Sequence, residues 1–191
     1  GDDLRRQIEG SIGETLSKQL GVSSTYFGPS ASRPVIRGLG GDRVQILEDG
    51  LSTLDVSGLS QDHAVSLEGV IAEQIEIIKG PASLLYGSGA AGGLVNMVSN
   101  RIPRKAAESA LGGAAEVRGA GATGEVTGAL SVNGGVGNLA WHADYFDRQT
   151  DDVRIPGFAQ SAALRQRLID AGEAPSDAEG TIGNSSSEAN G

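Results

Sequence analysis

Between about residues 115 and 146 the chain alternates apolar and polar side chains with a period of two, the pattern of a strand with unlike faces. In the stretch 125–133, Val126, Gly128, Leu130 and Val132 fall on one face, and Thr127, Ala129, Ser131 and Asn133 on the other. The preceding stretch opposes Ala115 and Val117 to Glu116 and Arg118. The following one opposes Leu139, Trp141, Ala143 and Tyr145 to Ala140, His142, Asp144 and Phe146. Glycine-rich connections at 119–124 and 134–138 join these segments, so the pattern predicts three strands of an antiparallel meander, one face apolar and the other polar.

The region before Pro103 has a different grain. Ile8, Ile12, Leu16 and Leu20 recur at the spacing of one helical face, and Gly21 closes the segment, which predicts an amphipathic helix over 4–20. Short β-like runs follow at Val35-Ile36-Arg37, Val44-Gln45-Ile46-Leu47, Gln74-Ile75-Glu76-Ile77-Ile78 and Leu94-Val95-Asn96-Met97-Val98. Glu48-Asp49-Gly50 carries a hairpin-type turn signal, and Lys79-Gly80-Pro81 ends the third run, since proline cannot extend a ladder. Residues 1–103 therefore read as a small α+β unit with a mixed sheet and short helices. After Asp147 the pattern fades into a polar tract of about forty residues, longer than ordinary connections. One helix is predicted there, over 161–171 with Leu164, Leu168 and Ile169 on one face. The Ser-, Asn- and Gly-rich end reads as irregular, with no further strand.

Composition excludes several classes of function. The 191 residues include no cysteine, which removes disulfides, thiolate metal sites and thiol nucleophiles. A formal net charge of −9 repels phosphate backbones and argues against nucleic acid as a partner. No apolar run approaches the roughly 20 residues a membrane helix requires, and Gly1-Asp2-Asp3 does not open a signal peptide. A soluble domain, a mature secreted segment and membrane strands all remain open.

Few residues carry chemistry. Gly87-Ser88-Gly89-Ala90-Ala91-Gly92 fits the spacing of a dinucleotide loop, but a strand-like run rather than a helix follows it, so a structural turn is expected. The two histidines, His63 and His142, form no Ser/His/Asp grouping, and no enzyme chemistry is expected. His142 falls on the polar face of its strand. Asp62-His63 lies in a polar stretch and supplies two of the ligands a divalent metal needs. Arg33, Arg37, Arg43 and Lys79 suit either an ordinary charged surface or the seating of a polar domain in a polar-lined cavity by arginine–carboxylate pairs.

The ordered motifs Arg33-Pro34-Val35-Ile36-Arg37-Gly38, Arg43-Val44-Gln45-Ile46-Leu47-Glu48-Asp49-Gly50, Ile75-Glu76-Ile77-Ile78-Lys79-Gly80-Pro81-Ala82-Ser83-Leu84-Leu85-Tyr86-Gly87-Ser88-Gly89 and Gly92-Gly93-Leu94-Val95-Asn96 resemble the successive signatures of the plug domain of TonB-dependent outer-membrane receptors. The resemblance implies a plug over 1–103, the first about three strands of a transmembrane β-barrel over 104–147, and an extracellular, partly disordered loop over 148–191, together a fragment of a longer chain. It places the turn at 134–138 on the periplasmic side and Trp141 and Tyr145 toward the outer lipid interface. It implies gated active transport of a scarce nutrient, a metal ion or a metal chelate such as a siderophore, with the plug as the gate. Implied partners are that substrate, outer-membrane lipid, and the TonB complex, which would act through an N-terminal box absent from this chain. No cofactor is required. A non-transport receptor, signalling or soluble, is the alternative. The stretch 59–65 is similar to the plug segment of the zinc-uptake branch, which implies Asp62 and His63 as metal ligands and zinc or another divalent metal as substrate.

Overall fold

The computed structural model describes residues 4, 7–53, 56–61, 63–65, 67–99, 101–103, 109–175 and 177–191. Near the N-terminus Ser11 caps a short helix, α1 (Ile12–Leu16): its hydroxyl accepts from the Glu14 amide at 3.2 Å and donates to the Glu14 carboxylate at 3.2 Å. Ile8, Ile12 and Leu16 are buried as the spacing predicts, but Leu20 is 93% exposed. The expected helix is shorter than its apolar stripe because the chain turns out of α1 after Leu16 to enter β1 (Val22–Ser24), and Leu20 leaves the core with that turn. Gly13 lets α1 lie against the hairpin that follows: a Cβ there would sit 2.5 Å from Ser24 Oγ and 2.8 Å from the backbone of Ser32. That hairpin pairs β1 with β2 (Pro34–Ile36), antiparallel.

The central sheet has the order β4-β3-β6-β5, from β3 (Val44–Glu48), β4 (Leu51–Ser52), β5 (Ala72–Ile78) and β6 (Gly93–Ser99). β3 and β6 run parallel and the other neighbours antiparallel, so the sheet is mixed, as expected. Asp49 (φ 50°) and Gly50 (φ 84°) make the tight turn between β3 and β4 that the sequence signals. In β6, Leu94 and Val95 are both fully buried although neighbours in a strand face opposite ways. One face carries the main core, with Ile12, Leu16, Ile36, Val44, Ile46, Val95 and Met97. The other carries Leu47, Ala90 and Leu94. The glycine-rich stretch at 87–92 forms a 3-10 turn over Ser88–Ala90 that runs into β6, with no helix after it, which agrees with a structural turn.

The second half is a wall. β7 (Gly112–Ala120), β8 (Glu125–Val136) and β9 (Leu139–Thr150) form the expected antiparallel meander, with Gly137 and Asn138 making the turn between the last two. The tract after Asp147 departs from expectation. β9 runs on to Thr150, β10 (Val153–Phe158) pairs with β11 (Glu179–Ile182), and β12 (Ser187–Asn190) returns to pair with β9. The sheet order is β12-β9-β8-β7, so the wall has a fourth strand where three were expected. Four residues, three of them polar, are too short a run to show alternation, and their partner lies far back in sequence; pairing rather than pattern defines β12. The predicted helix is present as α2 (Ala162–Asp170), capped by Ser161. Among the described residues no helix is long and apolar enough to cross a membrane, which leaves strands untouched.

Candidate functional site

The alternation of the wall sorts its side chains onto two different surroundings. Outward lie Val117 (81% exposed), Leu130, Leu139, Trp141 and Tyr145, all exposed. Inward lie Thr127, Phe146, Arg148 and Thr150, all buried: the N-terminal domain lies against Arg148, and the C-terminal strand segment against Phe146 and Thr150. The contact is polar and is built mainly by arginines. Arg148 of β9 forms an ion pair with Glu68 at 2.9 Å, the two side chains only 9% and 6% exposed. The same guanidinium donates to the Gly10 carbonyl at 2.5 Å and to Ser30 Oγ at 3.4 Å. Arg118 of β7 donates to the Ile8 carbonyl at 2.7 Å while pairing with Glu116 on its own strand at 3.2 Å. The hydroxyls of Ser30 and Ser187 are 2.6 Å apart, and Ser187 also meets Thr150 Oγ1 at 2.9 Å.

A second cluster lies where the N-terminal domain hands over to the wall. Arg101 forks onto Asp144, Nε to Oδ1 at 3.1 Å and Nη2 to Oδ2 at 3.0 Å, and its Nη1 reaches Glu48 at 3.4 Å. His142 Nε2 shares Asp144 Oδ1 at 3.2 Å, so His142 takes the inward, polar position predicted for it. The Asp144 fork outweighs partial burial and pushes the Arg101 guanidinium above its ordinary value. In the N-terminal domain, burial raises the Glu14 carboxyl above the usual range. A hydrogen bond from Ser11 opposes this, and the neighbouring charges of Glu9 and Glu125 add to it. Burial, with help from Glu14, also raises the Tyr26 phenol.

Of the proposed metal ligands, Asp62 lies outside the described residues. His63 is exposed in the turn-rich stretch before β5, its amide donating to the Ser60 carbonyl at 3.2 Å. Among the described residues no three His, Asp or Glu side chains are gathered to hold a metal ion. Arg33 is buried and serves the interior of the N-terminal domain, donating to Ser57 Oγ and to the Val44 carbonyl. Lys79 donates to the Leu20 carbonyl. The arginines that seat the domain are instead Arg101, Arg118 and Arg148. Their signal was available for the two on strands, since each continues the polar face of its alternation; which segments they would meet was not.

A small α+β domain held against the polar face of an antiparallel wall, whose opposite face is apolar and exposed, is a section through a plugged β-barrel. Residues 1–94 match the family model described as TonB-dependent Receptor Plug Domain, which makes this part of the chain a plug domain of the kind found in TonB-dependent receptors. Among solved structures it is similar to the ferric enterobactin receptor PfeA of Pseudomonas aeruginosa, with 24% identity, 80% of this chain and 24% of that one covered, and a TM-score of 0.63. It is similar also to the siderophore receptor PirA from Pseudomonas aeruginosa (26% identity, 78% and 27% covered, TM-score 0.58). The copper transporter OprC gives 25% identity, 78% and 22% covered, and a TM-score of 0.66. The chain thus spans about a quarter of the length of these receptors.

Proposed function

We propose that the full-length protein is a gated outer-membrane transporter of a Gram-negative bacterium that takes up a metal ion or a metal chelate. The observation that carries this reading is the seat itself: a folded plug held to the inward face of the wall by side-chain ion pairs and hydrogen bonds, Arg148 to Glu68 and Arg101 to Asp144. Such contacts close the lumen yet can be exchanged for water, so the plug serves as a removable gate. The work is binding and movement, with no covalent step. The TonB complex of the inner membrane supplies the pull through a segment N-terminal to the plug. In this orientation Gly137-Asn138 turns on the periplasmic side, residues 151–186 form the extracellular loop, and the apolar face meets lipid.

The similar structures are those of siderophore receptors and a copper transporter, which supports a metal-bearing substrate. Within that class we propose zinc or another divalent ion, with Asp62 and His63 as two ligands on the plug: a carboxylate beside an imidazole suits a borderline-soft cation, and His63 is exposed. The test is calorimetric titration of the full-length receptor with zinc, copper and a ferric siderophore, the Asp62→Ala/His63→Ala double variant alongside, and metal accumulation in cells with and without TonB. Saturable zinc binding lost in the variant, with TonB-dependent zinc accumulation, is the expected result. Chelate binding that survives the double variant would remove the two ligands and keep the transporter. TonB-independent accumulation of every substrate would sink the gated reading.

A further inference from the structure

The arginines that seat the plug differ in what they have to fall back on. Arg118 keeps Glu116 on its own strand at 3.2 Å, so it stays paired if the plug leaves. Arg101 belongs to the covalent linker and is 42% exposed, so water can replace either of its carboxylate partners. Arg148 has neither resource. Its partners, Glu68, the Gly10 carbonyl and Ser30, all belong to the plug, and both members of the Arg148–Glu68 pair are sealed from solvent. Removing one member of such a pair takes a neutralising partner away from a charge in a dry place.

We infer that Arg148 is the positioning residue of the gate: one wall guanidinium gathers three plug segments, around Gly10, Ser30 and Glu68, and sets how firmly the N-terminal layer of the plug stays shut. The inference rests on the gated-uptake reading and adds which contact must break. The segments it gathers are distant in sequence, and two of them belong to the layer of α1 and the β1–β2 hairpin. Ser30 also touches Ser187 at 2.6 Å, which adds a second wall contact at one of the hub's own partners. Those two hydroxyls are in hydrogen-bond contact, which makes the two positions the natural place to try a cysteine pair across plug and wall.

The experiment uses the full-length receptor in its own outer membrane and reads entry of vancomycin, a hydrophilic probe, in cells lacking TonB. Arg148→Met is expected to raise entry roughly tenfold or more, since loss of a buried partner shifts the closed state by that order. Arg148→Lys, which keeps the charge without the fork, should fall between. Adding Ser30→Cys/Ser187→Cys to Arg148→Met and oxidising should return entry to the wild-type level, and reductant should release it again. A plug that had merely misfolded would not be rescued by one bridge. Wild-type entry in Arg148→Met, or raised entry that the oxidised bridge leaves unchanged, would overturn the inference. Uptake of zinc, copper and a ferric chelate by the wild type is measured in parallel: its absence would count against the transporter reading, while the vancomycin comparison still decides the role of Arg148.

Discussion

The plug and the wall are both built largely of β-strands, yet they hide opposite halves of their side chains. In the plug, Leu94, Val95 and Met97 are fully buried, while Glu73 of β5 is exposed and Glu76 half-buried. In the wall, Val117 and Leu139 are 81% and 70% exposed, whereas Thr127 and Arg148 are 2% and 8% exposed. A period of two says only that a strand has unlike faces. Which face is hidden depends on what lies against it: apolar residues of neighbouring elements in the plug, and the plug's own polar surface in the wall. The outward apolar face fits the lipid contact proposed above. The polar interior makes sense because the plug brings partners to it, most visibly Glu68 to Arg148.

The contrast can be broken at its strongest point first. Leu94→Ala should cost the plug about 2–5 kcal/mol by leaving a cavity in a strand buried on both faces. Hydrogen exchange would show it as lost protection in β3 and β6 with β8 and β9 unchanged. Equal loss in both halves would mean that they unfold as one unit. Next, Leu130→Arg places a charge near the middle of β8 on the outward face and should cost about 2–4 kcal/mol if that face meets the bilayer centre. Reversible folding of the full-length receptor into lipid vesicles measures it, and a neutral effect would contradict a lipid-facing surface.

The smallest effect concerns Glu14. Burial raises its carboxyl, so the folded plug holds this proton more tightly than the unfolded chain does. Its contribution to stability is then fully present at low pH and declines as pH rises from about 4.3 through the raised folded value. Glu14→Gln keeps the hydrogen bond from Ser11 and removes the charge, so it should flatten that decline and leave the plug slightly more stable at neutral pH. Unfolding midpoints of both proteins across that range are the check, and parallel curves would show that Glu14 does not titrate as described.

Much of this was legible along the chain because it is local. Alternation from Glu116 to Phe146 places β7, β8 and β9 and their faces. Asp49-Gly50 encodes its own turn through backbone preferences, Ser161 marks the start of α2, and the spaced plug motifs point to the family. The candidate metal pair was equally local, a carboxylate next to an imidazole. Other features were not legible. The apolar stripe ending at Leu20 overstated α1, because a stripe records spacing but not where the chain must turn to reach β1.

The sequence by itself thus determined the periods, the turns and the plug signatures, all encoded within stretches of about ten residues. Only the tertiary structure decided that β3 and β6 pair in parallel, that Ser187–Asn190 returns to β9, and that Arg148 meets Gly10, Ser30 and Glu68. The reason is physical: local backbone preferences act between neighbours, whereas pairing and ion-pair choice belong to segments far apart in the chain, and burial of the surrounding surface selects which of the many possible partners become real.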